Sequence, residues 1–331
     1  MIFFRTNAGQ EGLGHVNRIY SLYKEMKMIK SDFLYLFLVN SIAEKYLIEK
    51  GISKKNIMIF ENYSLNEIKF LKEEKNKLFI LDTYKANRDY INKANEEGIK
   101  TALFIDTLEY VDIHVDILIN GNIYADSETY KNEIRRNKIS FNKGFLGTDF
   151  LIINPTISHI KKTSNTQKQI TITTGGSDPN NFMPLLMKVV QKSEKYKRNI
   201  IIGPFFSPHQ IKNIESLQEE SDEFFYAPKS LNHIIARSDL IISSAGSTVY
   251  EILYYKKPFA LFQAGNDQRM IIDYFKRKGI AIINLENADN HLDIQTHLLL
   301  DPEYTAICKS IKKITKKSTN NLAKNLLKEI T

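Results

Sequence analysis

Residues 239–263 read DLIISSAGSTVYEILYYKKPFALFQ. An apolar run ends in a loop of small and hydroxylated residues, Ser244-Ala245-Gly246-Ser247-Thr248. A helix-spaced stretch follows, and then a second apolar run, PFALFQ at 258–263. Buried strand, tight loop, helix and buried strand in that order make a βαβ unit, the building block of a parallel sheet. Read outward from here, the rhythm fills the chain. QITITTG (169–175), NIIIG (199–203), EFFYA (223–227) and IAIINL (280–285) complete one set of strands. MIFFR (1–5), FLYLFLV (33–39), IMIF (57–60), LFILD (78–82), TALFID (101–106) and DILIN (116–120) form another. The polar stretch 158–169, SHIKKTSNTQKQ, has the composition of a linker and sets a boundary near residue 163. Two doubly wound Rossmann-like α/β domains follow, 1–162 and 163–331, facing a cleft at the carboxyl ends of their strands.

Composition narrows the function. The 331 residues are 43% hydrophobic and 25% charged, with no apolar run of the roughly 20 residues that spans a bilayer. The N-terminus enters a strand at once, without a signal peptide's features, so a cytoplasmic location is expected. A single cysteine, Cys308, offers neither an internal disulfide nor a zinc cluster. The net charge of +8 is concentrated at the end of the chain, where residues 309–331 carry seven Lys against one Glu. The remainder holds only +2, which argues against a nucleic-acid groove. That tail has apolar residues at helical spacing (Ile311, Ile314, Leu322, Leu326, Leu327) and reads as an amphipathic helix. It either packs on the fold or makes a weak membrane-surface contact.

Several loops could hold an anion. Gly9, Gly12, Gly14 and His15 follow the first strand, where glycines admit close backbone approach and a helix N-terminus favours a diphosphate. The loop lacks the third glycine of the dinucleotide fingerprint and the Gly-Lys-Ser/Thr of a P-loop, so neither NAD nor ATP is inferred. His15 is suited to act as a base near neutrality, or to cap its helix. Gly246, Ser247 and Thr248 present amides and hydroxyls at a second helix start. Glu251, three residues after Thr248, fits a ligand contact and a capping box equally. TTGGSDPNN (173–181), with Gly175, Gly176, Ser177 and Asp178, and QAGNDQ (263–268), with Asn266 and Gln268, converge on that end of the sheet. In the first half Asp82, Asp106 and Asn120 stand at strand ends, where short carboxylates and amides suit sugar hydroxyls and acetamido groups, or cap helices. His114 and Asp116 lack a further clustered ligand, so no metal is expected, and no cofactor.

GLGHVNR after an opening strand with Arg5, LDTY, FIDT…DILINGN, TTGGSD and SSAGSTVYE…NDQ, in this order, resemble the UDP-diacetamido-trideoxy-altropyranose hydrolase of pseudaminic acid biosynthesis. That family is similar in fold to the lipid II N-acetylglucosaminyltransferase, both being of GT-B type. The resemblance covers roughly residues 1–285. It implies a metal-independent, inverting attack at the anomeric carbon of a UDP-sugar, with His15 as the catalytic residue. Gly12, Gly14, Gly175, Gly176, Ser177, Ser244, Gly246, Ser247, Thr248 and Glu251 would hold the nucleotide and diphosphate. Arg5, Asn7, Arg18, Asp82, Tyr84, Asp106, Asn120, Asn266 and Gln268 would surround the sugar. Asn7, Thr107 and Asn154 depart from the family pattern. They leave a glycosyltransferase with a sugar or lipid acceptor as the rival reading, and a non-catalytic nucleotide-sugar binder as a third.

Overall fold

The computed structural model describes residues 1–9, 12–73, 77–106, 109–153, 157, 160, 167–190, 196–285, 301–312 and 314–330. The expected boundary at residue 163, and the positions Thr107 and Asn154, lie outside them. Backbone contacts divide the chain into two units, Met1–Pro155 with Lys316–Thr331, and Thr156–Thr315.

The first unit is built on seven parallel strands: β1 (Ile2–Thr6), β2 (Tyr35–Val39), β3 (Ile57–Ile59), β4 (Leu78–Asp82), β5 (Lys100–Phe104), β6 (Ile113–Asn120) and β7 (Ile139–Leu146). They lie in the order β3-β2-β1-β4-β5-β6-β7. β1 and β4 are buried along their whole length, which explains why IFFRT and LFILD open as unbroken apolar runs, closed by Arg5 and Thr6 in the first and by Asp82 in the second. The winding reverses between these two strands, and their register sets Thr6 opposite Asp82. Helix α1 (Gly14–Ile29) buries Val16, Ile19, Leu22 and Met26, three or four residues apart, in a core that also contains Phe4 and Phe37.

β7 has no counterpart in the sequence reading. It is an edge strand whose Ser140, Asn142 and Lys143 are exposed, so ISFNKGFL carries no apolar run.

The chain's last helix corrects the expected domain division. Lys317–Lys328 buries Leu322, Ala323, Leu326 and Leu327 in the first unit's core, not in the second. Thr319 Oγ1 accepts from Ile153 N at 3.0 Å, Asn320 Nδ2 donates to Glu25 at 2.6 Å, and Lys100 pairs with Glu329 at 3.0 Å. Apolar spacing revealed the buried face of this helix but not the sheet that receives it.

The second unit repeats the winding with β8 (Lys168–Thr173), β9 (Tyr196–Ile202), β10 (Asp222–Tyr226), β11 (Leu240–Ser244), β12 (Phe259–Phe262) and β13 (Ile282–Ile283). All are parallel, in the order β10-β9-β8-β11-β12-β13, and the reversal falls between β8 and β11. Its own core gathers Ile170, Ile172, Ile200, Leu240, Ile242 and Phe262. Among the described residues, no helix is long and apolar enough to cross a membrane.

Candidate active site

In the first unit the polar residues collect at the carboxyl ends of β1 and β4, where an open parallel sheet of this winding binds ligands. Gly12 N donates to Gly9 O at 2.9 Å, and Gly12 sits at φ +84°, a conformation that suits glycine. A Cβ added at Gly12 or Gly14 would meet nothing within 4 Å, so the backbone here is open to a ligand. Leu13 holds the N-cap position of α1 and makes no side-chain cap. His15 is not the helix cap either, because its ring turns to Asp82.

His15 Nδ1 lies 2.6 Å from Asp82 Oδ1, and both side chains are buried. Arg18 binds the same carboxylate twice, Nε to Oδ2 at 2.7 Å and Nη2 to Oδ1 at 2.5 Å. Arg18 Nη1 also pairs with Asp106 Oδ2, and Asp106 Oδ1 accepts from Asn122 Nδ2 at 3.0 Å. The guanidinium lies 4.7 Å over the ring of Phe104, and Tyr84 meets the His15 ring edge-on at 4.4 Å. Burial pushes the Asp82 carboxyl upward, but the charges and hydrogen bonds of Arg18 and His15 outweigh it and hold the group at about 2. An ionised Asp82 can only accept a hydrogen bond from His15 Nδ1–H, so Nε2 carries the lone pair that can act as a base.

Asn120 takes a different part from the one expected. It is fully buried, and its Oδ1 accepts from Asn122 N at 2.9 Å and Asn122 Nδ2 at 2.8 Å, forming the turn that presents Asn122 to Asp106. Tyr124 completes the support by donating to Asp106 O at 2.8 Å. Neither Asn122 nor Tyr124 was singled out in the sequence, although INGN at a strand end carried the turn signal.

Arg5 and Asn7, expected at the sugar, are structural. Arg5 is fully buried; its Nε pairs with Glu67 at 2.7 Å, its Nη1 donates to Asn7 Oδ1 at 2.5 Å, and its Nη2 donates to Phe60 O at 3.1 Å. The ring of Tyr63 covers the guanidinium at 4.0 Å. Asn7 Oδ1 accepts in addition from Asn40 N at 3.1 Å, which ties the end of β1 to the start of the next helix, Ser41–Glu49.

The second unit gathers its own loops. Gly175 takes φ +101°, and its N donates to Thr173 Oγ1 at 3.1 Å, which folds the loop back at the end of β8. Gly176 is exposed and Ser177 half-buried. Asp178 is spent on a cap, accepting from Phe182 N and Met183 N at 2.9 and 2.7 Å. Ser244 is also internal, donating to Thr174 O at 3.0 Å. Gly246 is half-buried and Ser247 exposed at the start of helix Thr248–Tyr255. Ser247 occupies the N-cap, which puts Glu251 one position beyond the place a capping box requires. Gln268 Oε1 accepts from Ala264 N at 2.8 Å, and its Nε2 comes nearest to a Cβ built on Gly246, at 4.0 Å; Asn266 is exposed on the same loop. Gly203, which the sequence reading passed over, is demanded by packing. A Cβ there would lie 2.4 Å from the carbonyl oxygens of Gly175 and Gly176. Among the described residues, no group of three or more His, Cys, Asp or Glu is placed to hold a metal ion. His114 and Asp116 instead bond to Ser140 and to the backbone of Thr101.

No protein-family model matches the chain. The chain is 24% identical over 278 residues, 81% of its length, to the uncharacterized protein MJ1062 of Methanocaldococcus jannaschii, and the match spans 56% of that protein. Over 71 residues, 20% of each chain, it is 35% identical to a UDP-N-acetylglucosamine–N-acetylmuramyl-(pentapeptide) pyrophosphoryl-undecaprenol N-acetylglucosamine transferase of Bacillus thuringiensis. Solved structures match nearly end to end. The glycotransferase of kitacinnamycin superposes with a TM-score of 0.66 at 11% identity, covering 100% of this chain and 99% of the other. HepE of Anabaena, in complex with UDP-glucose, superposes at 0.62 and 11% identity, covering 99% of each.

This chain has the GT-B fold. Within a GT-B chain, the two winding reversals described above fall at the loops that carry His15 and Gly246.

Proposed function

We propose that this protein is a UDP-sugar-dependent glycosyltransferase that acts with inversion at the anomeric carbon and delivers the sugar to a hydroxyl acceptor. The observation that carries the reading is the His15–Asp82 pair at the winding reversal of the first unit, a buried imidazole whose Nδ1 is engaged by a carboxylate, which leaves Nε2 to act as base. As the acceptor oxygen bonds to the anomeric carbon, its proton passes to Nε2. The bond from that carbon to the diphosphate oxygen breaks, and its electron pair leaves with UDP. Asp82 then faces an imidazolium and stabilises it, as the aspartate of a catalytic triad does. The start of helix Thr248–Tyr255, which no side chain caps, supplies backbone amides suited to the diphosphate charge. Similarity to a transferase over part of the chain, and to a UDP-glucose complex in fold, supports the choice of donor and reaction.

A second reading rests on the order of motifs from GLGHVNR to NDQ, which resembles the hydrolase family and makes water the nucleophile. One experiment separates the two. Purified protein is incubated with UDP-N-acetylglucosamine, UDP-glucose and UDP-diacetamido sugars, with and without sugar or lipid acceptors, in ¹⁸O-labelled water. Transfer only when an acceptor is present supports the transferase. Release of ¹⁸O-labelled sugar at a catalytic rate without acceptor supports the hydrolase, and no turnover of any UDP-sugar overturns both.

A further inference from the structure

We propose that Arg18 is a positioning residue and not a ligand of the sugar: it clamps Asp82 and Asp106 in place beside His15. Its planar fork is occupied on two sides, with Nε and Nη2 on the two oxygens of Asp82 and Nη1 on Asp106. Phe104 covers one face of the guanidinium. A bidentate arginine–carboxylate pair fixes direction as well as charge, which a lysine ammonium cannot do. Asp82 therefore cannot turn its Oδ1 away from His15 Nδ1 without breaking both contacts to Arg18.

The charge count leads to the same role. Asp82, Asp106 and Arg18 together leave one net negative charge beside the imidazole, which stabilises an imidazolium formed during turnover. Removing the cation leaves two uncompensated carboxylates side by side, and Asp82 then binds a proton more readily. The titratable and charged groups facing this cluster are His15 and Arg18 on α1, Asp106 after β5, and the phenols Tyr63, Tyr84 and Tyr110. Burial disfavours the Arg18 charge, yet Asp106 and Asp82 outweigh it and raise the group well above the ordinary arginine value.

The catalytic consequence rests on the role of His15 proposed above, so the test has one arm that needs no activity. Carboxyl ¹³C NMR of the full chain follows the titration of Asp82, assigned by its loss in Asp82→Asn, in the wild type, Arg18→Gln and Arg18→Lys. In Arg18→Gln the Asp82 midpoint climbs by about one pH unit or more, and in Arg18→Lys it stays near the wild type. A second arm measures kcat and KM with whichever UDP-sugar and acceptor the labelling experiment shows to be turned over. Arg18→Gln is expected to lower kcat by about 10- to 100-fold, with KM for the donor changed less than about threefold. Arg18→Lys loses about tenfold in kcat, because charge is retained and direction is not. An unmoved Asp82 titration in Arg18→Gln overturns the proposal, as does a large rise in KM with kcat unchanged. If Arg18→Gln does not fold, Arg18→Lys decides, and full kcat in that variant sinks the clamp. If the wild type turns over no UDP-sugar, the enzymatic reading fails while the NMR arm still judges Arg18.

Discussion

His15 and Asp82 stand 67 residues apart in the chain, yet their Nδ1 and Oδ1 atoms meet at 2.6 Å, because the register of β1 and β4 brings the two strand ends together. One nitrogen of the ring is thereby committed and the other left basic. His15→Ala should lower kcat by a factor on the order of 10²–10⁴, the usual span for a general base. UDP affinity, measured by calorimetry, should be unchanged within about twofold if the nucleotide is held by the second unit alone. Full turnover in His15→Ala would remove the catalytic role.

Asp82 also makes the protein acid-sensitive. Its carboxyl is held at about 2 against an ordinary 3.8, so it binds protons less readily folded than unfolded. The stability this contributes is complete above the unfolded value, near pH 4, and is lost as pH falls through about 2. The size is on the order of 2 kcal/mol at neutral pH. Urea unfolding of the wild type and Asp82→Asn at pH 6 and pH 2.5 checks this: the stability gap between them should narrow at the lower pH. A gap of constant width would show that folding does not lower the proton affinity of Asp82.

How much of this was legible beforehand depended on whether a feature was local. The strand-loop-helix units were, because strands buried on both faces must be apolar throughout, and LFILD or DLIIS advertises that. His15 was visible from the glycines around it. The partnerships were not, since the sequence does not show that Asp82 and Arg18 would spend their charges on each other, or that Arg5 would be enclosed by Glu67 and Tyr63. A charged residue at a strand end looks the same whether it meets a ligand or a buried counter-ion. β7 escaped because an exposed edge needs no apolar run, and Gly203 because its constraint comes from two carbonyls in another loop.

The closing helix offers a test of the corrected domain division. Leu326 is fully buried in the first unit's core, and Leu326→Ala should cost about 2–5 kcal/mol, the range for large-to-small core changes. Hydrogen exchange should show where. Protection is expected to fall in α1 and β1, against whose core the helix packs, while β8 and β11 keep theirs. Loss confined to the second unit would restore the division read from the sequence.

Two glycines of the second unit separate folding from binding. At Gly203 an added Cβ would lie 2.4 Å from two backbone carbonyl oxygens, so the loop that includes Gly175 and Gly176 must move to accept it. Gly203→Ala should therefore destabilise the fold by about 1–3 kcal/mol, as overpacking commonly does. Gly246 presents the opposite case. A Cβ there meets only Gln268 Nε2, at 4.0 Å, so the fold has room for it and the melting temperature without ligand should stay within a few degrees of the wild type. A diphosphate seated on the amides of that helix start has no such room. Gly246→Val should thus abolish the concentration-dependent rise in melting temperature that UDP produces in the wild type, since only a ligand that binds the folded state raises it. If UDP stabilises Gly246→Val as strongly as the wild type, the nucleotide is held elsewhere. If UDP stabilises neither protein, the chain does not bind UDP, and the donor proposed above is wrong.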